Sequence, residues 1–152
     1  MIPCEGFLNP DNRARDGAGD GPRRGRVMTE ADAQSFAVEW IEAWNSRDLE
    51  RILRHYADDV EVTSPFVETV LGPGRHTVKG KEALRAYWGP MLLRHPELHF
   101  KLFRAYAGVR SLVLHYQSIQ GLIGTECMEL GADGKVWRVS AHYAMGPDPA
   151  AA

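Results

Sequence analysis

Cysteine is scarce in this chain. Cys4 and Cys127 are the only two in 152 residues, too few and too far apart for a disulfide framework, so a reducing cytoplasm is the expected compartment. Long apolar runs are lacking: nothing approaches the roughly 20 residues of a membrane span, and the start has no uninterrupted apolar stretch of the kind a secretory leader carries. An excess of one charge is lacking as well. Eighteen Lys and Arg against 20 Asp and Glu leave a net charge of −2, no electrostatic footprint for nucleic acid. Gly72-Pro73-Gly74 is not followed by the Lys-Ser/Thr of a phosphate loop, and no Gly-x-Gly-x-x-Gly occurs, so nucleotide binding has no support.

The chain is long enough for one domain with a sizeable core. Residues 1–27 differ in kind, with five glycines, three prolines and interspersed Arg and Asp, a composition that reads as a disordered extension. Met28 resembles a natural start, because Thr29 can cap a helix with Asp32 in the reciprocal capping-box position. A domain over 28–146 and a short disordered tail over 147–152 complete the division.

The strongest local signal is Trp40 to Pro65. One helix presents Phe36, Trp40, Ile41 and Trp44; a second, capped by Asp48, presents Leu49, Ile52, Leu53 and Tyr56. The period then becomes two, with Val60 and Val62 alternating against Glu61 and Thr63. An irregular Gly/Pro segment follows, then a third helix after Gly80 that Gly89-Pro90 should kink or shorten. Four strand-like runs close the chain, near 98–107, 111–120, 122–130 and 135–145. The order predicts an α+β domain, three N-terminal helices on an antiparallel meander.

Two-residue turns at Asp133-Gly134 and Gln120-Gly121 would set the register of the last hairpins. The first pairs Glu126 with Ala141, Gly124 with Tyr143, Met128 with Val139 and Leu130 with Trp137. The second sets Glu126 opposite His115, Gly124 opposite Gln117 and Met128 opposite Val113. A carboxyl and an imidazole side by side on an apolar face could work as acid and base, or could be a satisfied structural pair. Leu112, Leu114, Tyr116, Ile123, Cys127 and Val136 would then make the other face apolar, which calls for a homodimer packed sheet to sheet.

Other groups carry less. His95, Glu97 and His99 alternate as a metal trio could, but the segment reads as solvated, so no metal is expected. His55 and His142 read as outward, and His76 lies in a loop over the expected pocket mouth. Ser64 and Ser118 have no visible nucleophile partners.

Trp44-Asn45-Ser46-Arg47-Asp48-Leu49, Tyr56-Ala57-Asp58-Asp59, Lys79-Gly80-Lys81-Glu82-Ala83-Leu84 and Asp133-Gly134-Lys135-Val136 together resemble the nuclear transport factor 2-like superfamily, SnoaL-like bacterial proteins in particular. The resemblance covers Met28 to about Tyr143. It implies a cone of curved sheet and three helices around an apolar pocket, and commonly a dimer. Among ketosteroid isomerases of the superfamily, the base position corresponds to Ser64 here, the helix-one phenol to Trp40 and the protonated acid to Glu126. One acid survives in longer form; the base and phenol do not. The Arg of limonene-epoxide-hydrolase relatives corresponds to Gly124, so their Asp-Arg-Asp set is absent. The SnoaL-type cyclases' strand carboxylate corresponds to Glu126, and His115 comes nearest to the pocket histidines of scytalone-dehydratase relatives.

The expectation is a cofactor-independent isomerase, cyclase or dehydratase acting on a small apolar carbonyl compound. His115 would accept a proton and Glu126 would donate one. Gln117 and Tyr143 would orient the ligand; Trp40, Trp44, Tyr56, Ser64, Phe66, Tyr87, Trp88, Met91, Val113, Met128 and Ala141 would line the cavity. The competing expectations are a non-catalytic ligand-binding or interaction domain, and an accessory domain whose arginine-bearing tail docks a partner.

Overall fold

A computed structural model describes residues 27–145; the extension, most of it, and the tail expected from the sequence lie outside the described residues. The elements are α1 (Glu30–Ser46), α2 (Leu49–Leu53), β1 (Tyr56–Thr63), α3 (Val67–Leu71), β2 (Thr77–Lys79), α4 (Lys81–Arg94), β3 (Lys101–Ala107), β4 (Ser111–Gln117), β5 (Leu122–Leu130) and β6 (Val136–Met145). The strands form one six-stranded sheet in the order β2-β1-β6-β5-β4-β3. β3 to β6 form the antiparallel meander expected of the last four runs, and β1 pairs with β2 antiparallel but with β6 in parallel, so the sheet as a whole is mixed and not antiparallel throughout. Among the described residues no helix is long and apolar enough to cross a membrane.

Thr29 caps α1 through the full capping box: its hydroxyl accepts from the Asp32 N–H, and the Asp32 carboxylate accepts from the Thr29 N–H, both at 3.1 Å. Ala33, Ala37, Trp40, Ile41 and Trp44 form the buried stripe of this helix. Asp48 caps α2, as its position suggested. That helix is only five residues long, and Tyr56 opens β1 with its side chain still buried.

Among the described residues the α-helices number four, one more than expected. A short α3 and the β2 strand occupy the Gly/Pro segment, where too few residues stand between breakers to show a period. Pro90 does not end α4. Its missing N–H costs one bond to the Ala86 carbonyl, and both residues line the cavity.

The decisive difference lies in β4. The structure pairs Leu112 with Met128, Leu114 with Glu126, Tyr116 with Gly124 and His115 with Thr125. The connection to β5 holds three residues, Ile119-Gln120-Gly121, closed by the Ser118 N–H donating to the Leu122 carbonyl at 2.7 Å. Gln120 and Gly121 both adopt positive φ, 55° and 74°. One residue more than a two-residue turn reverses every side chain of β4. Leu112, Leu114 and Tyr116 therefore face the core at 1%, 0% and 1% exposure. Val113, His115 and Gln117 go to the outer face. Val136 is also buried, so the outer face keeps less apolar surface than expected. Phe103, Tyr106, Val113, Ile123 and Cys127 stand there among Arg104, Thr125, Glu129 and His142.

Candidate functional site

The inner face of the sheet, with α1, α3 and α4 over it, encloses a cavity of about 610 Å³. Its walls are aromatic. Trp40 stacks on Phe100 at 5.6 Å between centroids, Trp44 meets Trp88 edge-on at 4.9 Å, and Phe66 lies 4.7 Å from Tyr143. Asn45 fixes Phe100 by clamping both of its backbone groups, accepting from its N–H at 2.7 Å and donating to its carbonyl at 2.9 Å. The Trp40 indole donates to the Tyr56 hydroxyl at 2.8 Å. The Trp44 indole N–H lies toward the same hydroxyl but outside hydrogen-bonding geometry. It is the one buried side-chain polar atom left without a partner among the described residues.

In this apolar setting stands Glu126, at 7% exposure. Two phenols aim at one of its oxygens. Tyr116 donates to Oε1 at 2.8 Å and Tyr143 at 3.4 Å. The residues paired with Glu126 across the sheet, Leu114 and Ala141, offer no polar side chain, and both phenols address Oε1 and not Oε2. Burial pushes the carboxyl up to about 7, and the two phenolic hydrogen bonds pull against that rise. Desolvation and the neighbouring carboxylate together raise the Tyr116 and Tyr143 hydroxyls above the usual phenol range, so both remain protonated donors.

Gly124 makes the Tyr116 contact feasible. A Cβ at this position would stand 2.9 Å from Tyr116 Cζ and 3.0 Å from its hydroxyl, so only glycine lets the ring lie across β5 toward Glu126. Ser64 is buried at the cavity wall at 6% exposure, its hydroxyl accepting from the Phe66 N–H at 3.2 Å.

Of the residues expected from sequence, Trp40, Trp44, Tyr56, Ser64, Phe66, Tyr87, Trp88, Met91, Glu126, Ala141 and Tyr143 line the cavity. His115 does not: it sits on the outer face against Phe103, centroids 5.2 Å apart, so the His115–Glu126 dyad is corrected. Val113 and Gln117 leave the cavity with it, for the same one-residue reason. Met128 is buried on the inner face but lies outside the lining. The group that takes the place of His115 is Tyr116, which the sequence reading put on the outer face. The signal that could have found it is Gly124, a glycine inside a strand, the mark of a close approach. Arg94, His95 and Phe100 also line the cavity and were missed. The metal trio does not assemble; among the described residues no group of His, Cys, Asp or Glu could hold a metal ion.

The family model described as SnoaL-like domain matches residues 37–144. A SnoaL-like protein of unknown function from Burkholderia thailandensis is 41% identical, with a TM-score of 0.75, over 78% of this chain and 99% of that one. A ketosteroid isomerase candidate from Kribbella flavida is 20% identical, with a TM-score of 0.59, over 81% of this chain and 84% of that one. An epoxide hydrolase/cyclase-like enzyme of pyran ring formation in the polyether salinomycin is 14% identical, with a TM-score of 0.62, over 78% and 95%. The last two show the shared fold. No functionally curated protein matches. The chain belongs to the SnoaL-like family, within the nuclear transport factor 2-like superfamily.

Proposed function

We propose that the protein is a cofactor-independent proton-transfer enzyme of the cytoplasm, an isomerase, cyclase or dehydratase acting on a small apolar carbonyl compound, with Glu126 as the group that moves the proton. One observation carries this reading: a buried carboxyl, held by two phenols on one oxygen, in an aromatic cavity. With a pKa of about 7 it is present in both forms near neutrality. The ionised form takes a proton from the carbon next to the carbonyl, and the electron pair moves to the carbonyl oxygen as an enolate. The protonated carboxyl then returns that proton to another carbon, or to a leaving hydroxyl, which departs as water. Tyr116 and Tyr143 hold Oε1, so Oε2 is the oxygen free to meet the ligand. His115 has no part in this chemistry. The outer face, with Phe103, Tyr106 and Val113, is the surface we assign to a homodimer.

The test is exchange of carbon-bound hydrogen for deuterium in a panel of apolar ketones, followed by NMR. The native protein should accelerate exchange, and Glu126→Gln should lower the rate by about 10²- to 10⁴-fold. Equal rates in native protein and variant would refute the assignment of Glu126. A second reading is favoured by Ser64, a hydroxyl where isomerase relatives keep a base: a non-catalytic binding protein, for which ketones bind and no exchange occurs.

A further inference from the structure

The acid-base reading leaves one charged group of the cavity unused. Arg94 stands in the last turn of α4, exposed at the mouth and part of the lining together with His95. Among the described residues it makes no hydrogen bond or ion pair.

The usual reasons for a cation here are already met by others. Carbonyls at a helix C-terminus favour positive charge, and Arg47 supplies it from the end of α1. Its guanidinium donates to the carbonyls of Leu92, His95 and Pro96. The carboxylate of the same loop, Glu97, is engaged by His95 at 3.3 Å. Arg94 is thus neither a helix cap nor half of an ion pair, and the Arg47 clamp fixes the turn that carries it.

Helix α4 sets the scale. Tyr87, Trp88, Met91 and Arg94 recur at helical spacing and all line the cavity. Tyr87 and Glu126 line the same cavity, and the Glu126 charge bears on the Tyr87 hydroxyl. Arg94 comes two turns later, about 10 Å along the axis at 1.5 Å per residue. Helix side chains lean toward the N-terminus, which carries the guanidinium back toward the cavity. Between the two levels the wall is Trp88 and Met91, and the rim adds the exposed apolar side chains of Phe66 and Val70, at 42% and 46%.

We infer that the ligand is a keto acid with an apolar body, its carboxylate paired with Arg94 at the mouth and its carbonyl at Glu126 within. This names the substrate class of the proposed activity and rests on that reading of Glu126. A guanidinium offers two parallel donors to a carboxylate, a match an ester or alcohol cannot make.

The experiment is calorimetric titration with benzoylbutyrate and with its methyl ester, which differ only in the charged group. Native protein should bind the acid about tenfold more tightly than the ester. Arg94→Gln should bring the acid down to the affinity of the ester and leave the ester unchanged; Arg94→Glu should reverse the preference. Equal affinity of native protein for both compounds, or a loss in Arg94→Gln that is the same for both, overturns the carboxylate subsite while the Glu126 reading stands. Binding of neither compound overturns the keto-acid assignment and the carbonyl-ligand reading together.

Discussion

The two faces of the sheet treat ionisable groups in opposite ways. On the inner face Glu126 is cut off from water, and its charged form is disfavoured until two phenols partly restore what solvent would have given. On the outer face His115 rests on the edge of Phe103 with solvent beside it and no carboxylate partner among the described residues. His115 and Tyr116 are neighbours in one strand, yet only one of them meets the cavity. Imidazole is the more familiar acid-base group near neutrality, but here the pleat of β4 decides which side chain can act. Burial and partners, more than residue type, decide which ionisable group is shifted toward neutrality.

The comparison breaks most visibly at Glu126. Its pKa in the fold, about 7, is above the 4.5 of an unperturbed glutamate, so the native state keeps a proton that the unfolded chain has lost between those values. The stability this proton contributes is fully present below about pH 4.5 and is lost as pH rises through 7. The loss is about 3 kcal/mol on the alkaline side. Denaturant unfolding at pH 5 and pH 8 should show most of this loss in the native protein. Glu126→Gln, with no proton to lose, should be flatter by that amount.

A smaller effect separates the two neighbours of β4. Tyr116→Phe removes the shorter phenolic bond and should cost about 1–3 kcal/mol, because it leaves a buried carboxyl with a single, longer donor. His115→Asn should cost about 0.5 kcal/mol or less, the range of a surface change, and leave any exchange activity intact. Thermal unfolding of both variants checks the pair. Similar costs would mean that the two faces hold their side chains alike.

Most of the fold was legible because its signals are local. The capping box of Thr29 and Asp32, the Asp48 cap and the Gly80 start of α4 each depend on a few adjacent residues. The hairpins were harder, and they fail in an instructive way. Both connections hold three residues and end in a positive-φ glycine, Gly121 in one and Gly134 in the other. In β5–β6 an extra residue at Trp137 bulges out just past the turn: Leu130 pairs with Val136, then Glu129 with Arg138. That bulge cancels the extra turn residue, so Glu126 does face Ala141 as a two-residue turn predicts. In β4–β5 no bulge follows, and the same assumption sends His115 to the wrong face. Bulges answer to tertiary packing, and nothing in the local pattern of 111–130 announces one. Glu126 itself was legible as the lone carboxyl on an apolar strand face. Arg94 was not, because its place at the mouth depends on how α4 is set against the sheet.

The chemistry proposed for the cavity turns on a carboxyl able to exchange a proton near neutrality. The most direct test is NMR titration of the Glu126 side-chain carboxyl carbon in the full chain. The midpoint should lie near 7. A midpoint in the ordinary carboxylate range near 4.5 would contradict it, and with it the assignment of Glu126 as the proton carrier.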